Sequence, residues 1–278
     1  MNSAKAFAPA NISCIFKIYS HRNPRWMGSY GVGFTLDKGV IVEAKKSKRN
    51  EILFNNKPIN FPAVKGVAKK LTNRNLKINI KSKLPLGCGF GLSGAGALAA
   101  AYAINDLLKL NKTSRELAII AHTADAENKT GLGDVVNQFY GGFFLKLKPS
   151  SSFEIINIPL NNIDVYCKYF SKISTKSVIT NPKLKNKINK AADISLEKIK
   201  ELIKNNKNIQ FKSIIKISKK FSADSGLLKD RRTIETIKNI EKNSGNASMI
   251  MLGNAVFSDK SFKGASKFRI SGKGAHLL

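Results

Sequence analysis

Residues 85–101 read PLGCGFGLSGAGALAAA, and the reading of this stretch decides the fold. Five glycines, Gly87, Gly89, Gly91, Gly94 and Gly96, fall within ten residues. Ahead of them, Leu76-Lys-Ile-Asn-Ile-Lys81 alternates apolar and polar residues, the period of a strand with one buried face. Behind them, Ala97 to Leu108 holds strong helix formers and no breaker. The order is strand, glycine-rich turn, helix. Backbone N–H groups at such a helix start lack intrahelical partners, and the helix dipole adds partial positive charge there. A phosphate fits that place, and glycine lets it approach the backbone closely. Ser93 supplies a hydroxyl for the helix cap. A turn kept for packing alone is the competing explanation. Five glycines with a serine among them favour an anion site.

Two named phosphate loops are excluded. Gly89-x-Gly91-x-x-Gly94 matches the dinucleotide pattern literally, but that pattern needs an acid about twenty residues on, at the end of a second strand. The acid near that distance is Glu116, which sits in a capping box, Thr113-Ser-Arg-Glu116, that opens another helix. A Walker loop needs Gly-Lys-Ser/Thr, and no lysine follows these glycines.

The chain of 278 residues allows one large domain or two lobes on a shared core. Its 42% hydrophobic content predicts a globular fold, with no apolar run long enough to span a membrane and no good signal peptide at the N-terminus. Cys14, Cys88 and Cys167 are odd in number and widely spaced, which points to a reducing compartment. His21, His122 and His276 show no metal-ligand spacing. The net charge is +30. A partner rich in phosphate is one explanation. Because the lysines are dispersed and accompany abundant Asn and Ile, with no nucleic-acid-reading motif, a compositional bias is the preferred one.

The pattern along the chain predicts two strands in residues 4–19 divided by a turn at Pro9-Ala10-Asn11, and a loop marked by Asn23-Pro24 and Gly28-Ser29 that re-enters a strand at Gly31. A hairpin follows over 39–60 about the charged turn Lys45–Asn50, then a short helix at 62–74. A helix spans Thr113–Asp125, and Thr130-Gly-Leu-Gly-Asp134 forms a tight turn with one carboxylate. Residues 151–245 turn rich in Lys, Ile and Asn, with helical spacing through Ile188–Ile203 and near 211–221 and 228–241, and no visible chemistry. Residues 267–271 and 276–278 read as closing strands.

Residues 85–101 resemble the first phosphate loop of the GHMP kinases, the galactokinase–homoserine kinase–mevalonate kinase superfamily. GFGLSGAGALAAAYAIN looks most like the archaeal pantoate kinases. HTADAENKTGLGDVVNQFYGG (122–142) and the Ser248-Met-Ile-Met-Leu-Gly-Asn254 turn resemble the same group. Ala8-Pro9 matches an Ala-Pro-Gly turn of the superfamily, but Ala10 replaces the glycine and Asn11 replaces a basic residue found in many members. Gly28-Ser29-Tyr30-Gly31 resembles a substrate-side segment of that group, with Tyr30 where arginine is expected.

The resemblance implies an α/β (α+β) fold in two lobes: a mixed-sheet, ATP-binding lobe over 1–150 and an α+β lobe over 151–278. It implies a cytoplasmic, archaeal-type kinase that phosphorylates the 4-hydroxyl of pantoate in coenzyme A biosynthesis, with ATP and Mg²⁺. Pro85, Gly87, Gly89, Gly91, Ser93, Gly94, Ala95 and Gly96 would bind ATP. Ser93 with Asp125 or Glu127 would hold the metal, and Asp134 would serve the substrate hydroxyl. Ser29 and Gly31 would face the substrate, with Arg22 or Arg25 meeting its carboxylate in place of the missing arginine. The partners would be small molecules, with no specific nucleic acid and no membrane; a homodimer is compatible with the resemblance. Two alternatives stand beside this one: another GHMP kinase acting on a mevalonate-type or amino-acid alcohol, and a basic nucleic-acid-binding α/β protein.

Overall fold

The computed structural model describes residues 2–205 and 209–278. Strands β1 (Ser3–Tyr19) and β2 (Gly28–Lys46) run antiparallel along nearly their whole length. The turn expected at Pro9-Ala10-Asn11 is absent, because β1 runs through it as one strand. The pairing register slips between Pro9 and Asn11 and again between Ser13 and Ile15. Such irregularities let a strand carry a proline, which has no N–H to donate, and re-aim the residues beside it. The freed Asn11 N–H donates instead to the Phe90 carbonyl in the glycine loop, at 3.0 Å.

Next come β3 (Glu51–Phe54), β4 (Lys57–Pro58), α1 (Pro62–Leu71) and β5 (Leu76–Lys81). The hairpin expected between β2 and β3 does not form. β5 inserts between them, antiparallel to β2 and parallel to β3. Leu76, Ile78 and Ile80 are fully buried, so β5 earns the central place, and α1 supplies the crossover that a parallel pair needs.

The glycine loop leads from β5 into α2 (Leu92–Leu108). Ala97, Leu98, Ala99, Ala100 and Ala101 are all inaccessible to solvent. A helix apolar on every side belongs inside, and α2 is wrapped by the sheet, α1 and α3 (Ser114–Glu127). The Thr113 capping box forms as expected, with Thr113 Oγ1 accepting from the Glu116 N–H at 3.2 Å. After α4 (Asp134–Tyr140), β6 (Phe143–Lys146) pairs with β2 and β7 (Ile156–Ile158) pairs with β6.

β8 (Asp164–Lys172), the short α5 (Thr175–Ile179), α6 (Pro182–Asn205), α7 (Phe211–Asp224), α8 (Arg231–Lys242), β9 (Ala247–Met249), β10 (Gly253–Ser258) and β11 (Ser266–Arg269) follow. The four strands make a second, antiparallel sheet in the order β11-β8-β10-β9. Finally β12 (His276–Leu277) returns to pair with β1 in the first sheet. Lys183, Lys187, Lys190 and Lys198 lie exposed on α6, as solvated helix faces do. All three cysteines are free and buried.

β1 joins the two layers. It pairs with β2 in the large sheet along both halves, and its second half also packs on α6 and α7. The Asn189 side chain bonds both the N–H and the carbonyl of Ile18, at 2.8 and 3.0 Å. Ser218 Oγ donates to the Cys14 carbonyl at 2.8 Å, and Phe16 meets Phe221 edge-on at 5.8 Å.

Candidate active site

The glycine loop, the 129–133 turn and the β9–β10 turn converge on one cavity, whose lining includes Ser13, Ser29, Gly89, Ser93, Gly133 and Asp134. Gly91 caps α2 in the left-handed conformation (φ 62°), and its carbonyl accepts from Gln138 Nε2 at 2.8 Å. No side chain caps α2, so Ser93 is not the cap expected from sequence. The first-turn N–H groups of a long helix are thereby left for a ligand. Gly89 has φ 86°, and a Cβ there would press on Ile250 at 2.7 Å and on the Met251 carbonyl at 2.8 Å. The Ser248–Asn254 segment thus closes directly over the loop, and only glycine admits that approach.

Ser93 bonds across to α3. Its Oγ donates to Asp125 Oδ1 at 2.8 Å, and Thr130 Oγ1 donates to the same oxygen at 2.6 Å. Asp125 is 2% exposed, and burial, with Asp134 adding like charge, pushes its carboxyl up to about 6 against the two hydroxyl bonds. Glu127, the other acid weighed for the metal, faces outward and pairs with Lys70 at 2.8 Å. The structure brings Asp125, not Glu127, against Ser93.

Asp134 begins α4 at the cavity edge, half-buried. Asn11 Nδ2 donates to its Oδ1 at 2.6 Å, and Asn137 Nδ2 donates in turn to Asn11 Oδ1 at 2.7 Å. Removal from water raises the Asp134 carboxyl, while the charge of Lys146 and bonds from Asn11 and Ser13 pull it down. Asn11, which replaces a basic residue in the resemblance, is thus a neutral partner of the acid.

Lys146 was not singled out in the sequence. It is 4% exposed at the end of β6, and its Nζ donates to the Gly133 carbonyl at 2.9 Å. Among the described residues no carboxylate oxygen lies within 4.0 Å of it. Burial pulls the ammonium down to about 8, and Asp134 only partly offsets this. Ser29 and Ser150 share this corner. Ser150 Oγ donates to the Ser29 carbonyl at 2.8 Å, and the two hydroxyl oxygens lie 3.2 Å apart. A Cβ on Gly133 would collide with Ser29 Oγ, Ser150 Oγ and Lys146 Nζ, so three polar groups converge there.

The remaining expected residues divide. Gly87, Gly89, Gly91 and Ser93 line the cavity, whereas Pro85, Ala95 and Gly96 do not. Gly96 faces Phe61 and serves helix packing. Gly94 is buried against α4, where a Cβ would meet Gln138 Oε1 at 2.9 Å. Gly31 packs in the β1–β2 pair, over the Ile15 carbonyl. Arg22 and Arg25 are exposed and outside the cavity lining, because the one-turn 3₁₀ helix at Pro24–Trp26, capped by Asn23, turns them to solvent. Arg25 lies over the Trp26 ring at 5.3 Å.

Comparison with known proteins places this arrangement. Residues 60–142 match the family model of the GHMP kinases N terminal domain, which spans the loop and Asp134. The chain is 35% identical over 257 residues to a pantoate kinase of Methanocaldococcus jannaschii, covering 90% of each protein. It is 28% identical to a pantoate kinase of Methanospirillum hungatei, over 91% of this chain and 86% of that one. A solved structure described as a phosphotransferase related to the CoA biosynthesis pathway superposes with a TM-score of 0.83 at 23% identity, over 99% of this chain and 98% of that one. With the glycine loop, Ser93 and the turn aspartate lining one cavity, Asp125 bonded to Ser93 behind them, and a relative that close over nine-tenths of its length, the chain belongs to the GHMP kinases, in the pantoate kinase family.

Proposed function

We propose that the chain transfers the γ-phosphoryl group of ATP to the 4-hydroxyl of pantoate. Its relatives' names support the reaction, and one observation supports the substrate class. Lys146 is a buried ammonium with no carboxylate oxygen within 4.0 Å among the described residues, set behind the cavity wall formed by Ser29 and Gly133. A buried charge calls for compensation, and a small anionic substrate in that corner supplies it. This reading replaces Arg22 and Arg25 by Lys146, with Ser29 and Ser150 as the polar groups beside it.

In this reading the open N-terminus of α2 and the loop glycines receive the phosphates. The base of the nucleotide would lie in the neighbouring groove lined by Asn55, Ser82, Leu84 and Tyr169, which shares Phe90 with the cavity. Ser93 and Asp125 would hold Mg²⁺: both are hard oxygen donors bonded to each other, and Ser93 lines the cavity. Bound there, Mg²⁺ would neutralise charge on the transferring group. Asp134 accepts the proton of the hydroxyl as its oxygen bonds to the γ-phosphorus, the bond to the β-phosphate oxygen breaks and ADP leaves. The first lobe is proposed to end near residue 150.

ADP release measured across pantoate, mevalonate, homoserine and galactose tests the substrate. Pantoate is expected to give the highest kcat/KM. A higher value for mevalonate or homoserine would move the chain to another GHMP activity.

Gly94→Val tests the loop. The added side chain would press on Gln138, Val135 and Asp134 where α2 meets α4. ATP affinity measured by calorimetry is expected to fall at least about tenfold, because the loop leading into α2 is displaced. The melting temperature should fall too, since the position is buried and overpacking costs roughly 1–3 kcal/mol. Unchanged nucleotide affinity in the folded variant would remove the phosphate site from this loop.

A further inference from the structure

Asn11 and Asn137 are both buried, one on β1 and one on α4. With Asp134 they form a chain of hydrogen bonds that runs one way: Asn137 donates to Asn11, and Asn11 donates to the carboxylate. An amide has a donor end and an acceptor end of nearly the same shape. Turned over, Asn11 would offer its carbonyl oxygen to Asp134, and an attraction would become a repulsion. The shape of the Asn11 side chain does not choose between the two states. The groups at its two ends do: the carboxylate attracts the N–H, and the Asn137 N–H needs an oxygen to bond.

Asn137 holds that donor on Asn11 at a cost to itself, since its own Oδ1 is buried and has no partner among the described residues. Buried acceptors are seldom left so. Its Nδ2 is also packed in place, for a Cβ on Gly33 would lie 2.9 Å from it. A basic residue at position 11 would donate whichever way it turned. An amide there needs a second residue to set it.

We propose that Asn137 is a positioning residue which locks the Asn11 amide in its donating orientation and thereby fixes the Asp134 carboxylate at the acceptor hydroxyl. The inference rests on the reading of Asp134 given under the proposed function. Asn137 reaches the reaction only through Asn11 and Asp134.

Asn137→Leu keeps the size and removes the donor. It is expected to lower kcat about tenfold, the scale of a small misplacement of a catalytic group, with KM for ATP and for pantoate nearly unchanged. Asn137→Asp keeps the shape but offers only acceptors. It draws the Asn11 N–H toward itself, turns the amide over, and should lower kcat further. The deciding measurement repeats both changes in an Asp134→Asn background, with circular dichroism and thermal melts to establish folding. There the carboxylate to be positioned is gone, and either change should alter kcat by less than about twofold. An equal fall in both backgrounds, or an unchanged kcat in the otherwise native protein, would overturn the proposal and leave Asn137 a packing residue. Should Asn137→Leu fail to fold, Asn137→Asp carries the same comparison. If Asp134→Asn alone left kcat intact, the reading of Asp134 would fail first and this inference with it, which separates the two failures.

Discussion

Asp134→Asn is expected to lower kcat by about two orders of magnitude or more, with ATP affinity nearly unchanged. The substitution preserves the shape at the start of α4 and removes the charge. In the protein this carboxylate is held by Asn11 at 2.6 Å, and among the described residues no histidine lines the cavity to act as base in its place. Its environment leaves the carboxyl raised: loss of water outweighs Lys146, Asn11 and Ser13, which favour the charged form. General bases contribute about 10²–10⁴-fold, and loose phosphoryl-transfer transition states draw on the lower part of that range. Steady-state kinetics with saturating ATP checks the rate, and calorimetry checks the affinity. A variant with near-native kcat would reduce Asp134 to the residue that opens α4. Loss of Mg²⁺-ATP binding would instead assign it to the metal.

Lys146→Met is the second large effect. With pantoate, kcat/KM should fall roughly 10²-fold, the scale for truncating one member of a buried charge pair, and KM should carry most of it. The melting temperature without substrate should hold or rise, because methionine fills similar volume and a buried charge that Asp134 only partly compensates has been removed. A purely structural lysine would give the opposite pattern, a lower melting temperature with intact KM. The pH profile gives a separate check. Burial holds the ammonium at about 8, so the free enzyme loses this charge as pH rises through that value. The kcat/KM for an anionic substrate should therefore decline above about pH 8. Lys146→Arg should abolish that decline, since guanidinium stays charged. The linkage to stability has the same origin. The folded protein binds fewer protons at this site than the unfolded chain between about pH 8 and the ordinary lysine value, so this group's penalty is full below pH 8 and fades above it.

The strand, loop and helix of residues 76–108 were legible in sequence because their signals are local: alternation, glycines, then uninterrupted helix formers. The Thr113 capping box and the turn that presents Asp134 were legible for the same reason. What failed was non-local. Nothing near Lys45–Asn50 reveals that β5, some thirty residues on, displaces β3 from β2. Asn11 and Asp134 bond across 123 positions, so the replacement of a basic residue at Asn11 could be noted but not interpreted. Lys146 ends a short apolar strand, Phe143-Phe-Leu-Lys146, where a lysine ordinarily reaches solvent. Here Ser29, Gly133 and Ser150 converge on the ammonium instead. Arg22 and Arg25 lie close to Tyr30 in sequence, but the capped turn at Pro24–Trp26 sends them outward.

The continuity of β1 bears on whether the enzyme can be divided. A gene fragment stopping at residue 150 would encode the loop, Asp125, Asp134 and Lys146, every polar group assigned here to phosphate, metal or carboxylate. It would not encode a working half. Cys14, Ile15, Phe16 and Ile18 are buried, and much of what covers that end of the strand, from Asn189 to Phe221, is made later. The same strand carries Asn11 and Ser13 into the cavity. A fragment ending at 150 exposes that apolar face and frees the strand holding the acid's partner, so the autonomy of an ordinary domain is withheld from both parts.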